Sequence, residues 1–99
     1  ADCNPYLAYT SAIASGLDGI ANQLEPPDIF DGNAYDATEV PRAPAELGEA
    51  IELFAGSQFV GQVLGEDAQQ HYSHFFETER IAFQAAVTDW ERRRYFERI

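Results

Sequence analysis

Residues 4–20 read NPYLAYTSAIASGLDGI and carry the strongest helix signal in the 99-residue sequence. Asn4 can cap free backbone amides, and Pro5 suits a first helical position because its missing N–H would have no partner there. Apolar side chains then recur at three- and four-residue spacing: Tyr6, Tyr9, Ile13, Leu17 and Ile20. Most other positions are small, so the helix suits burial between other elements. We expect it to end at Asp18-Gly19 or at Asn22.

The rest of the chain predicts one long irregular segment and four further helices. Residues 25–44 are irregular because prolines bracket them and Gly32-Asn33 interrupts them. Roughly twenty residues without regular structure is long for a compact domain, so this excursion should lie on another surface or be functional. The further helices are predicted at residues 44–55, 58–64, 66–87 and 88–98. No alternating pattern marks a strand, so the fold class is an all-α segment of about five helices with one long proline-rich excursion.

Each predicted helix has an apolar face and a recognisable start. Pro44 and Ser57 begin the second and third helices, and Thr88 with Glu91 three residues later has the spacing of a capping box for the last. The apolar members of the last four helices are Leu47, Ile51 and Phe54; then Phe59, Val60, Val63 and Leu64; then Tyr72, Phe75, Phe76, Phe83 and Val87; and then Trp90, Tyr95, Phe96 and Ile99.

Charge and composition exclude several classes of function. Seventeen acidic residues face six basic ones, all arginine, for a net charge of -11, so nucleic-acid binding is disfavoured. No run of about 18 apolar residues predicts a membrane span. A single cysteine, Cys3, fits a reducing, cytoplasmic setting. Four arginines lie in the last eight residues, which suits either docking on an acidic surface or complementing a helix dipole.

Candidate reaction centres are weak throughout the sequence. His71 and His74 are three residues apart and Glu77 continues the row, an arrangement that can hold a metal, yet a structural zinc site normally needs four ligands. A solvated histidine pair is the favoured interpretation. The acidic spacings Glu46/Glu49/Glu52 and Glu77/Glu79 predict solvated helix faces, because acid–base catalysis needs carboxylates that face each other across a pocket. We therefore predict no catalytic, cofactor-binding or metal-binding residue in these 99 positions.

The stretch from Ala1 to Pro27 resembles the glutamine synthetase family. There an Ala-Asp-x-Asn-Pro-Tyr-Leu run opens a buried helix that ends in Gly-Leu-x-Gly-Ile and is followed by a proline pair. The same letters stand here at residues 1–7, 16–20 and 26–27. A turn downstream in the family is similar to Gly32-Asn33-Ala34-Tyr35. A later helical segment of the family resembles Val40-Pro41-Arg42 and residues 45–54, although Ala43 replaces the usual capping hydroxyl. The closing helices of one branch resemble His71-Tyr72 and residues 87–91.

The resemblance implies that residues 1–99 are the C-terminal helical part of a catalytic domain whose full-length form is α+β, and not an independent catalytic domain. The family joins ammonia or an amine to glutamate, using ATP and Mg or Mn. In the family the metal ligands, the ATP pocket and the glutamate-binding arginines lie upstream, so this segment should be inert alone. The resemblance implies an arginine-rich catalytic segment just before Ala1. Its implied role is to support the catalytic sheet and subunit contacts in a ring-shaped homo-oligomer.

The resemblance also marks one residue for regulation. Tyr35 occupies the place of a tyrosine that is adenylylated in some bacterial members. The tail TDWERRRYFERI, residues 88–99, looks more like the branch that acts on larger amines such as polyamines, where we do not assume that modification. A structural tyrosine that anchors the excursion is the favoured alternative for Tyr35.

Two other functions compete with the ligase segment. One is a stand-alone acidic, aromatic-rich helical module for protein–protein interaction. The other, weaker one is a metal-binding helical domain that uses His71 and His74. A segment of a larger domain should be molten or self-associated when it is expressed alone, whereas an independent module should unfold cooperatively as a monomer.

Overall fold

The structure is a computed structural model that describes residues 3–37 and 40–98. Within them lie five α-helices: α1 (Pro5–Ala21), α2 (Leu47–Gly56), α3 (Gln58–Leu64), α4 (Glu66–Ala85) and α5 (Asp89–Tyr95). A short 3-10 turn (Ala34–Asp36) interrupts the irregular segment, and none of the described residues is in a strand. The predicted all-helical class with a proline-rich excursion is confirmed. The sequence matches at Ala1 and Asp2 and the apolar position Ile99 lie outside the described residues.

The chain divides into two units, between Pro41 and Arg42. In the first unit, α1 begins as predicted: the side chain of Asn4 accepts hydrogen bonds from the amides of Tyr6 (3.0 Å) and Leu7 (3.4 Å). The helix ends by the later of the two predicted signals, with Asn22 as its C-cap. The amide of Leu24 then donates to the carbonyl of Gly19 at 2.9 Å, which is a Schellman closure.

Gln23 supplies the left-handed residue of that closure. Its φ is 51°, and its amide donates to the carbonyl of Ile20 at 3.3 Å. Glycine is the usual residue at this position because it has no Cβ to clash. The closure therefore forms here on a residue whose type gives no sequence signal for it.

In the second unit, α2 and α3 pack against α4. Ile51 is buried, and the ring of Phe54 meets the ring of Phe76 edge-on at a centroid distance of 6.4 Å. Tyr72 stacks on Phe76 at 6.1 Å. Phe76 of α4 therefore packs its ring on the apolar face of α2, and Tyr72 of the same helix stacks on that ring.

One polar side chain connects all three of these helices. The Nε2 group of Gln69 on α4 donates to the carbonyls of Phe54 (2.7 Å), Ala55 (3.2 Å) and Ser57 (2.9 Å). Phe54 and Ala55 lie in the last turn of α2, where helices leave backbone carbonyls unpaired. Ser57 stands between α2 and α3, and its carbonyl also accepts from the amide of Gly61 at 3.3 Å. The hydroxyl of Ser57 also caps α3 by accepting from the amide of Val60 at 3.2 Å.

Three predicted helix boundaries are wrong by two or three residues. The second helix begins at Leu47 and not at Pro44, because Glu46 is extended (φ -128°, ψ 152°) and the carboxylate of Glu49 bonds the amide of Ala45 outside the helix. The fourth helix ends at Ala85 and not at residue 87, because Ala86 is extended. The last helix ends at Tyr95 and not at residue 98.

Removing the Gln69 amide tests whether it holds α2, α3 and α4 together. In the full-length polypeptide, Gln69→Ala should raise amide hydrogen exchange across residues 54–64 by ~5-fold or more, equivalent to about 1 kcal/mol, because three carbonyls lose a donor. Gln70→Ala is the matched control, since Gln70 is the exposed neighbour on the same helix. Equal exchange in the two variants would contradict the assignment.

Candidate functional site

Tyr35 stands on the 3-10 turn and points into solvent. Its side chain is 92% exposed. The side chain of Asn33 shapes the turn: its Oδ1 accepts from the amide of Tyr35 at 3.2 Å, and its Nδ2 donates to the carboxylate of Asp36 at 2.8 Å. These bonds hold the backbone and leave the phenol free, so within the first unit the ring does not anchor the excursion. The side chain of Tyr35 is therefore exposed in the described part of the chain.

The His71, His74 and Glu77 row lies on α4 with its members in different roles. The ring of His71 meets that of Tyr72 at a centroid distance of 5.4 Å. Glu77 pairs with Arg80 through two hydrogen bonds, of 2.7 Å and 2.5 Å. These bonds lower the pKa of Glu77 below its ordinary 4.5 and raise the pKa of Arg80. Across residues 3–37 and 40–98, no three His, Cys, Asp or Glu side chains are grouped to hold a metal ion.

The carboxylates of Glu46, Glu49 and Glu52 are exposed on α2. Glu49 accepts from the backbone of Ala45 at 3.2 Å, and Glu52 contributes, after Glu77, to the raised pKa of Arg80. These carboxylates therefore have structural partners and open solvent around them. The geometry that general acid–base catalysis requires, two carboxyl groups facing a shared pocket, is not formed by this row.

Among the cavities of the second unit, two contrast in their lining. One, of about 250 Å³, is apolar and is lined by Leu47, Ala50, Ile51, Phe54 and Phe76. The other, of about 400 Å³, is lined mostly by polar and small residues where α2, α3 and α4 meet. Gln69 reaches this second cavity, but its amide is already bonded to the backbone there. The side chains that line the apolar cavity make no hydrogen bonds that a ligand would have to displace.

The largest feature of the surface is apolar and uncovered. The only described apolar residues that are buried are Ala37 and Ile51. The face of α1 that should enter a core is exposed by 62–81% at each of its five positions, Tyr6, Tyr9, Ile13, Leu17 and Ile20. The chain exposes 9187 Å², against roughly 5,600 Å² for a self-contained protein of its mass. Apolar patches of this extent are typical of surfaces that contact another polypeptide.

The last helix has the predicted capping box. The hydroxyl of Thr88 accepts from the amide of Glu91 at 3.2 Å, and the carboxylate of Glu91 accepts from the amide (2.7 Å) and hydroxyl (2.8 Å) of Thr88. The bond from the Thr88 amide and then that from its hydroxyl lower the pKa of Glu91 below its ordinary 4.5. Arg92, Arg93 and Arg94 follow in the last turn, where cations complement the helix dipole.

The most prominent feature of the described residues is their exposed apolar surface. None of their helices is long and apolar enough to cross a membrane. The residues whose functional interest the sequence did not reveal are those around the α2–α4 cavity, because only their packing separates them from ordinary core positions.

Known proteins match the chain over nearly its whole length. A model of the glutamine synthetase catalytic domain matches residues 1–95. A gamma-glutamylethanolamide synthetase of Streptomyces coelicolor is 45% identical over 98 residues, covering 99% of this chain and 21% of that protein. A glutamine synthetase of Methanosarcina mazei is 37% identical, covering 94% of this chain and 22% of that protein. A type-1 glutamine synthetase 2 of Dictyostelium discoideum is 36% identical, covering 99% and 20%.

These matches confirm the predicted resemblance over nearly the whole sequence. The chain spans about a fifth of the length of the relatives it matches. An exposed apolar surface is the expected state of a segment whose partners lie in the other four fifths.

The capping box predicts a pH dependence for α5. The pKa of Glu91 is lower in the folded protein than its ordinary 4.5. The ionised carboxylate therefore stabilises α5 above that ordinary pKa, and this stabilisation is lost as the pH falls through the folded pKa. NMR titration should find the Glu91 carboxyl below 4.5. Thr88→Val should move its pKa partly upward, because the backbone amide still donates, and Thr88→Ser should leave it low. An unchanged pKa in Thr88→Val would contradict the role of the hydroxyl.

Proposed function

Because this chain belongs to the glutamine synthetase catalytic-domain family, we propose that it is the C-terminal helical part of the catalytic domain of an ATP-dependent glutamate–ammonia or glutamate–amine ligase. The observation that carries this proposal is the uncovered apolar face of α1. A helix with one charged residue, Asp18, among 17 and an exposed apolar face needs a partner to cover it. The catalytic sheet of the longer polypeptide is that partner.

The segment supports chemistry that other residues perform. The family's ATP and Mg or Mn supply phosphoryl transfer to glutamate, which requires cations and metal ligands around the phosphates. The donor set here does not fit such a group: the described part of the chain has no three-ligand cluster, and the guanidinium of Arg80 is held by Glu77. No step of the reaction is therefore assigned to these residues. Their task is to hold the catalytic sheet and contribute subunit contacts in a cytoplasmic homo-oligomeric ring.

Identity to a gamma-glutamylethanolamide synthetase favours an amine as the acceptor. The tail, residues 88–99, points to the same branch in the sequence. We propose glutamate and a primary amine as substrates, with ammonia as the alternative. Full-length protein should release phosphate from ATP only when glutamate and an acceptor are both present, with comparison of ethanolamine, a polyamine and ammonia. Amine-independent release, or no γ-glutamyl amide with any of the three, would exclude the ligase.

A stand-alone interaction module is the second candidate, and α1 separates it from the first. In the full-length protein, Ile13→Asp should lower Tm by ~6 °C or more or prevent folding, because a charge enters a covered face. In the 99-residue chain alone, where Ile13 is 64% exposed, the same change should leave the circular dichroism spectrum nearly unaltered. The isolated chain should bind a hydrophobic dye, unfold without a sharp transition and form no amide.

Ser15→Asp is the comparison for Ile13→Asp in both forms, since it adds the same charge at an exposed position on the opposite face of α1. A sharp, monomeric unfolding transition of the isolated chain that Ile13→Asp leaves in place would favour the independent module.

We propose Tyr35 as a regulatory modification site, of the adenylyl type that the resemblance indicates. Support comes from its nearly complete exposure on a turn whose shape depends on Asn33 and not on the phenol. Peptide mass spectrometry on full-length protein from nitrogen-rich and nitrogen-poor cultures should find an adenylyl group on Tyr35 in one of them. Tyr35→Phe should keep basal activity and abolish the modified peptide. An unmodified Tyr35 in both cultures would remove the proposal.

A further inference from the structure

We draw no further inference here: the strongest candidate, the apolar cavity between α2 and α4 lined by Leu47, Ala50, Ile51, Phe54 and Phe76, carries none, because nothing in the structure shows what covers it.

Discussion

The packing of α2 on α4 is the contact on which the second unit depends. Ile51 is buried there, and the rings of Phe54, Tyr72 and Phe76 continue the same apolar patch. The bonds from Gln69 to three carbonyls become effective only once this patch has brought α4 beside the end of α2. A short α3 then follows without a core of its own, since its apolar residues are only half covered. Apolar packing therefore places these helices, and one amide satisfies the backbone groups that the placement leaves behind.

The same contact is too small to stabilise everything attached to it. An 11.0-kDa chain needs most of its apolar surface covered before the gain exceeds the entropy of ordering it. Here the α1 face, Phe83, Trp90 and Phe96 are all largely exposed. Their periodicity is regular, so the helices are specified locally, while the surfaces that would cover them belong to other polypeptide. Membership in a family of proteins about five times longer gives those surfaces a source.

Local signals predicted the helix starts better than the helix ends. Asn4 and the Thr88–Glu91 capping box act within four residues, so both could be predicted from the sequence and are present in the structure. The Gln23 closure could not, because glycine is the residue that signals it and glutamine occupies the position at φ 51°. Pro44 misplaced the start of α2, since the bond from Ala45 to Glu49 forms outside the helix. Such competition between side-chain and helical hydrogen bonding depends on geometry that spacing does not determine.

Sites follow the same division between local and non-local information. The turn that carries Tyr35 depends on a local interaction, because its amide donates to Asn33 two residues earlier. The α2–α4 cavity combines Leu47 and Phe76, which are 29 residues apart, and periodicity marks both only as core positions. Whether such a position is filled or open depends on how closely two helices approach, and that distance is a property of the packed pair. The openness of the α2–α4 cavity is therefore a non-local property, which the spacing of apolar residues along the sequence does not determine.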